Sequence, residues 1–398
     1  MNKILTFMKS TFSFEGLLIL FLFSYQYKHI GRIFEEVDWG LLLSLPIILL
    51  GGSLYFQKKH LHLHMTPPQW FFIAWALWMI LSAFWSIAGV NGAAKAIFLL
   101  LFTMPAFFTG SLLVGSDDLR LARFLTLTLL FSLLTLIGGL TIYALTPGQI
   151  QMAFGTTYLV TGQTLGIGFF LLLDLNKKSN TRLVSILTSF AAGAIIFLML
   201  HLGGRGPLLS LGFTLIFYIF LNKMHLKRIL SFLALMSLSL LMMYGAFKFL
   251  TSFETPMASL ERLQSLLHPK GDSAILERLE YFKSAWHAFI SAPIFGLGIG
   301  GWPTYQALND PQLHPHNIFL EIMAESGIVG LLLFLLLLIT SCYKFWLSGL
   351  RSVPLYVLVF CFINALKSGD IIDNILFFAF LGLSLGITQK KTHPYKKV

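Results

Sequence analysis

Apolar runs follow one another along nearly the whole chain, separated by short polar connections. A bilayer-spanning helix needs about 20 mostly apolar residues. The pattern predicts about twelve such segments, near 12–27, 39–56, 69–88, 93–114, 119–145, 155–174, 182–201, 206–221, 228–250, 316–347, 352–366 and 371–388. The first, eighth and eleventh are short or interrupted. Connections such as Gln57-Lys58-Lys59, Asn176-Lys177-Lys178 and Asn222 to Arg228 are brief and polar. With no linker, low-complexity stretch or internal repeat to divide it, the chain is expected to be one all-α polytopic membrane domain over 1–398.

One connection is long, 251–315. Within it Ile275 to Ile290 reads as an amphipathic helix, with Leu276, Leu279, Phe282, Trp286 and Phe289 at helical spacing. Pro293 ends it, and Gly296-Leu297-Gly298-Ile299-Gly300-Gly301-Trp302 follows. Glycines in such a run serve close helix packing, or let backbone amides approach an anion. Trp302 and Tyr305 suit a segment lying at the headgroup layer.

Orientation follows from charge, because Lys and Arg collect in cytoplasmic loops. With both termini inside, the inner connections hold Lys58, Lys59, Arg120, Arg123, Lys177, Lys178, Arg182, Lys223, Lys227, Arg228, Lys344 and Arg351, and the tail adds Lys390, Lys391, Lys396 and Lys397. The opposite side holds only Lys28, Arg32, Lys95, Arg205 and Lys367 in its short loops. That assignment turns 251–315 outward. The mildly basic start, Met1 to Ser10, is followed by no small-residue cleavage site and is expected to be retained.

Composition agrees with the pattern. Hydrophobic residues make up 56% and charged residues 11%, against about 25% charged in soluble domains. The net charge of +11 belongs to the topology and implies no nucleic-acid partner. Cys342 and Cys361 both fall in apolar runs, which argues against a disulfide framework or a zinc site.

Chemistry-bearing residues gather at the predicted outer side. His314, His316, Asn317, Glu321 and Glu325 stand at the mouth of the 316–347 segment, and polar groups in a membrane segment are a functional-site hypothesis by default. Arg205, in Gly203-Gly204-Arg205-Gly206, lies where one span turns into the next, and Arg278 lies on the amphipathic loop helix. Guanidinium groups bind phosphate oxygens bidentately and stay charged. A neutral His removes a proton from an attacking hydroxyl. Two arginines and a histidine therefore suit transfer from a diphosphate-linked lipid carrier, the arginines stabilising the leaving group. The ordinary alternatives are that Arg205 caps a helix or snorkels, and that Arg278 pairs with Glu277 or Glu280. Arg262, in an earlier Glu-Arg-Leu, competes for the Arg278 role. Lys367 and Asp370 line the same side or pair with each other; Lys95, Gln163 and Asp373 are further polar groups at or within spans. His60, His62 and His64 read as a basic inner surface. With no outward carboxylate cluster of metal-site type, no metal or other cofactor is expected.

These residues resemble the bacterial O-antigen ligase family, in the superfamily that also holds O-antigen polymerases and protein O-oligosaccharyltransferases. His316-Asn317, nine residues, Gly327, two residues, then Gly330 meets the ligase pattern. Arg278, an aromatic four residues on at Phe282, and Pro293-Ile294-Phe295-Gly296-Leu297-Gly298 resemble the family's loop, with Phe282 where Trp is frequent. Gly203 to Gly206 resembles a Ser-Arg-Gly turn, with Gly204 replacing the small hydroxyl residue. The resemblance is close over about 200–335.

It implies an all-helical, GT-C-like membrane glycosyltransferase with a periplasmic active site in the bacterial inner membrane. The implied reaction is metal-independent and inverting, from undecaprenyl diphosphate-linked glycan to a sugar hydroxyl of lipid A–core. His316 would be the base, Arg205 and Arg278 would hold the diphosphate, and Asn317, His314, Arg262 and Lys367 are further substrate-binding candidates. A polymerase more often resembles a chain with two sizeable outer loops, and protein-directed transferases tend to carry a C-terminal domain not seen after about 388. A non-enzymatic transporter of lipid-linked glycan is the rival class, although transporters often show related halves.

Overall fold

A computed structural model describes residues 13–27, 37–57, 65–145, 156–222, 226–251, 273–308, 310 and 313–392. All regular structure among them is helical. The helices are α1 (Phe14–Leu22), α2 (Ser24–Tyr27), α3 (Trp39–Gln57), α4 (Pro67–Leu81), α5 (Val90–Phe98), α6 (Met104–Phe108), α7 (Asp118–Leu145), α8 (Tyr158–Lys178), α9 (Arg182–His201), α10 (Arg205–Leu221), α11 (Leu226–Thr251), α12 (Ser273–Ser291), α13 (Gly301–Tyr305), α14 (Ile318–Leu347), α15 (Val353–Ala365) and α16 (Ile375–Thr392). Each apolar segment read from the sequence carries a helix. Seven helical stretches are long and apolar enough to cross a bilayer, and four shorter apolar helices accompany them. Arg262, His60, His62, His64, Lys58 and Lys59 lie outside the described residues.

The helices form two compact units, one from Met1–Leu42, Ala122–His268 and Arg351–Asn364, the other from Leu43–Leu121, Pro269–Leu350 and Ala365–Val398. In the first, α9 and α11 approach closely because Gly193 carries no side chain: a Cβ there would lie 2.8 Å from the Met236 carbonyl oxygen. Small residues at helix interfaces allow such contact where lipid supplies no hydrophobic drive. Backbone and side-chain polar groups must be satisfied internally in such a setting. Asn176 Nδ2 donates to Thr188 Oγ1 at 2.9 Å, Lys177 Nζ donates to Asn222 Oδ1 at 2.8 Å, and Asn222 Nδ2 donates to the Tyr356 hydroxyl at 2.7 Å. The first bond ties α8 to α9, and the other two tie the ends of α8 and α10 to α15.

In the second unit α4 packs on α14, around an aromatic centre. Phe72 stacks on Phe107 at 3.8 Å, and Trp75 lies 5.4 Å from both Phe334 and Phe378. Many large apolar side chains face outward, among them Leu49, Phe56, Leu332 and Ile339. Such a surface would be a liability in water and is ordinary against lipid.

Candidate functional site

The start of α14 is built from three local devices. Asn317 is extended (φ −151°), and its Oδ1 accepts the N–H groups of Phe319 and Leu320 at 3.0 and 3.1 Å, capping the helix. Its Nδ2 donates to the Leu366 carbonyl at 3.0 Å. Both ends of the Asn317 amide are thus engaged in fixing the chain. His316, just before it, has φ +56°, a region that non-glycine residues seldom enter and His enters more readily than most.

One helical stretch later α14 breaks at Gly327, whose φ is +64°. The break frees backbone groups that a helix would pair, and each finds a partner. The Ala324 carbonyl accepts from Leu297 N at 2.9 Å and the Glu325 carbonyl from Gly298 N at 2.8 Å. The Ser326 carbonyl accepts from Trp78 Nε1 at 3.1 Å. In return Ile328 N donates to the Pro293 carbonyl at 2.8 Å. The glycine run therefore serves close packing: the Leu297 and Gly298 amides are spent on α14, and Gly296 (φ +72°) has no room for a Cβ, which would lie 2.4 Å from Ser326 N. The spacing from His316-Asn317 to Gly327 is the distance from the cap to this break.

The site's charged groups meet at that helix start. The rings of His314 and His316 lie 4.4 Å apart at 69°, and Tyr281 from α12 lies nearly parallel to His316 at 6.2 Å. Tyr281 is held by Trp302, edge-on at 5.2 Å, and by donating its hydroxyl to Glu277 at 2.7 Å. Burial, with the neighbouring His314 and Arg278 charges, pushes the His316 imidazole down to about 3, and its buried Nδ1 has no hydrogen-bond partner among the described residues. Burial and Arg278 likewise bring the Lys367 ammonium down to about 7. Arg278, His314, His316 and Lys367 consequently share one electrostatic neighbourhood. Arg205, half-buried at the first position of α10, belongs to the other unit.

Two details of the loop differ from the sequence reading. The face of α12 turned to the protein carries Tyr281, Ser284, Ala285 and Ala288. Leu276, Leu279 and Trp286, expected as the apolar stripe, are exposed, while Phe282 and Phe289 are half-buried. Trp302, expected at the headgroup layer, is wholly buried beside Tyr281, and Tyr305 is exposed. Small residues let α12 lie close, whereas the large ones point away. Tyr281 went unnoticed in the sequence, although it falls one turn beyond Arg278 on the same face.

A third group lies inside the second unit. Lys95 Nζ contacts Glu321 Oε1 at 2.6 Å and both oxygens of Glu325 at 3.0 Å, with Asp370 at 3.9 Å. α5, the start of α14 and the connection from 366 to 374 thus meet at Lys95 within this unit.

The described residues define a multi-pass, all-helical membrane protein. Residues 190–335 match the family model described as O-antigen ligase, so this stretch is similar to the O-antigen ligase family, within the ligase and polymerase superfamily. The family is glycosyltransferase-like and works on lipid-linked glycans. The matched stretch contains Arg205, Arg278, His314, His316 and Asn317, and also Glu321 and Glu325. No curated protein sequence matches the chain.

Proposed function

We propose that the protein is an O-antigen ligase that transfers a glycan from undecaprenyl diphosphate to a sugar hydroxyl of lipid A–core, without a metal and with inversion. The chain acts as one domain of the bacterial inner membrane, with 251–315 and the active site on the periplasmic side. The asymmetric placement of Lys and Arg supports that orientation.

The observation that carries the reading is the grouping at the start of α14, where the rings of His314 and His316 lie 4.4 Å apart, Tyr281 of the Arg278 helix lies nearly parallel to His316, and the Arg278 charge bears on both His316 and Lys367. A cationic group of this kind attracts a diphosphate, and the imidazole among the cations stays neutral with a lone pair to offer. In the reaction the acceptor oxygen bonds to the anomeric carbon as the bond from that carbon to the phosphate oxygen breaks. The bonding pair leaves with the diphosphate, where Arg278 and Lys367 stabilise it. The hydroxyl proton passes to His316. Bound diphosphate also offsets the positive charges that depress His316, so the donor raises the basicity of the residue that uses it. His314 and Asn317 shape the approach to that base.

The test is transfer by purified protein in detergent, with lipid-linked glycan, lipid A–core and a chelator. Product from the wild type and none from His316→Ala is expected. Equal product from both would sink the base assignment. Glycan lengthening without lipid A–core would make the acceptor a growing glycan, and movement of donor with no new glycosidic bond would make the protein a transporter.

A further inference from the structure

Two carboxylates, Glu321 and Glu325, are wholly buried on successive turns of α14. One lysine answers both. Lys95 projects from α5 and bonds Glu321 Oε1 and both Glu325 oxygens. The same Glu321 oxygen accepts the Ile371 N–H at 3.3 Å. Asp370 stands beside the lysine at 3.9 Å, its other oxygen accepting the N–H groups of Ile372 and Asp373 at 2.8 and 2.7 Å. Three separate segments are therefore pinned at one ammonium group: α5, the first turns of α14, and the connection from 366 to 374.

What these segments carry gives the cluster its meaning. Glu321 N donates to the Asn317 carbonyl at 3.0 Å, so the Glu321 turn begins at the residue after His316. The connection supplies the Leu366 carbonyl that receives Asn317 Nδ2, and then Lys367. Removing Lys95 would free the helix start and this connection to shift against each other while leaving two buried carboxylates unpaired. A buried ionic cluster is weak evidence for stability, since apolar side chains of similar volume pack there as well or better. In a membrane helix it marks function.

We propose that Lys95 is a positioning residue of the transfer reaction, which holds His316 and Lys367 in working register by binding Glu321, Glu325 and Asp370 together. The proposal rests on the reading of His316 as the base.

The experiment measures kcat and donor KM for Lys95→Met, Lys95→Arg and the triple variant Lys95→Met/Glu321→Gln/Glu325→Gln, with rates normalised to the folded, monodisperse fraction. The triple variant removes the lysine together with the two wholly buried carboxylates, so neither Glu321 nor Glu325 is stranded if Lys95→Met alone fails to fold; Asp370 keeps the Ile372 and Asp373 N–H groups as partners. Lys178→Met, which loses only the surface pair with Asp174, is the control. Lys95→Met and the triple variant should lose about 10²-fold in kcat, the scale of an ångström of misplacement, with donor KM unchanged, and Lys95→Arg should recover most of the rate. Wild-type kcat in the folded triple variant, or an effect confined to KM, would overturn the proposal while His316→Ala remained inactive. Activity in His316→Ala would instead overturn the assignment of the base.

Discussion

A Cβ on Gly327 would lie 2.3 Å from the carbonyl oxygen of Ile294. Gly327 combines that contact with a φ of +64°, so substitution meets both a clash with rigid backbone and a left-handed conformation. With ψ −163° this is a region essentially reserved for glycine, and it costs about 1–3 kcal/mol for a residue with a side chain. Gly327→Ala should therefore strongly reduce folded yield in detergent. Gly212→Ala is the comparison: within α10 its Cβ would meet nothing within 4 Å. Gel filtration of the two variants checks the difference, and equal yields would count against the break at Gly327 as a packing requirement.

Asn317→Ala should lose the helix cap and the bond to Leu366 together. A cap is worth about 1 kcal/mol and a hydrogen bond about 1 kcal/mol, so the variant should be less stable by about 2 kcal/mol. Asn317→Ser keeps an acceptor for the cap and should recover about half of that loss. Neither variant should recover the transfer rate, because the tie to the Lys367 segment is gone in both. Thermal unfolding in detergent read beside turnover separates the two roles.

Much of this was legible in the sequence, for reasons that differ by level. Apolar runs announce helices because a bilayer demands length and hydrophobicity, and every run carries a helix. The polar mouth of α14 was legible because carboxylates and histidines are costly there. Which face of a helix turns inward was less so, since an apolar side chain suits both a protein core and lipid. On α12 the small residues Ala285 and Ala288 face the protein while Leu276 and Trp286 do not, and Trp302 is buried despite its suitability for the headgroup layer. Lys95 and Glu321 stood out singly as polar groups near spans. Their pairing is long-range, and no local pattern records it.

Arg278→Ala should lower kcat by about 10²–10³-fold, the usual cost of removing one charge-stabilising donor. Arg262→Ala, run beside it, should change the rate much less, because it is the Arg278 charge that lowers both His316 and Lys367. If Arg262→Ala alone abolishes transfer, the earlier Glu-Arg-Leu holds the diphosphate and the assignment moves with it.

The last prediction concerns the proton on His316. Its folded value, about 3, lies below the ordinary 6.5 because of burial and the His314 and Arg278 charges. An unfolded chain binds a proton there between those two values and the folded chain does not. The stability contribution is therefore full above pH 6.5 and declines as pH falls toward 3. Arg278→Gln removes one of the repulsive charges and should raise the His316 value in the free protein. Inorganic pyrophosphate, as a probe of the donor's leaving group, should raise it in the wild type and much less in Arg278→Gln, because the anion is then held less well. Histidine-labelled protein, followed by NMR across the acid range with and without pyrophosphate, reads both shifts. No upward shift with saturating pyrophosphate would mean that the anion does not bind beside His316, and the donor would then have to activate its base by another route.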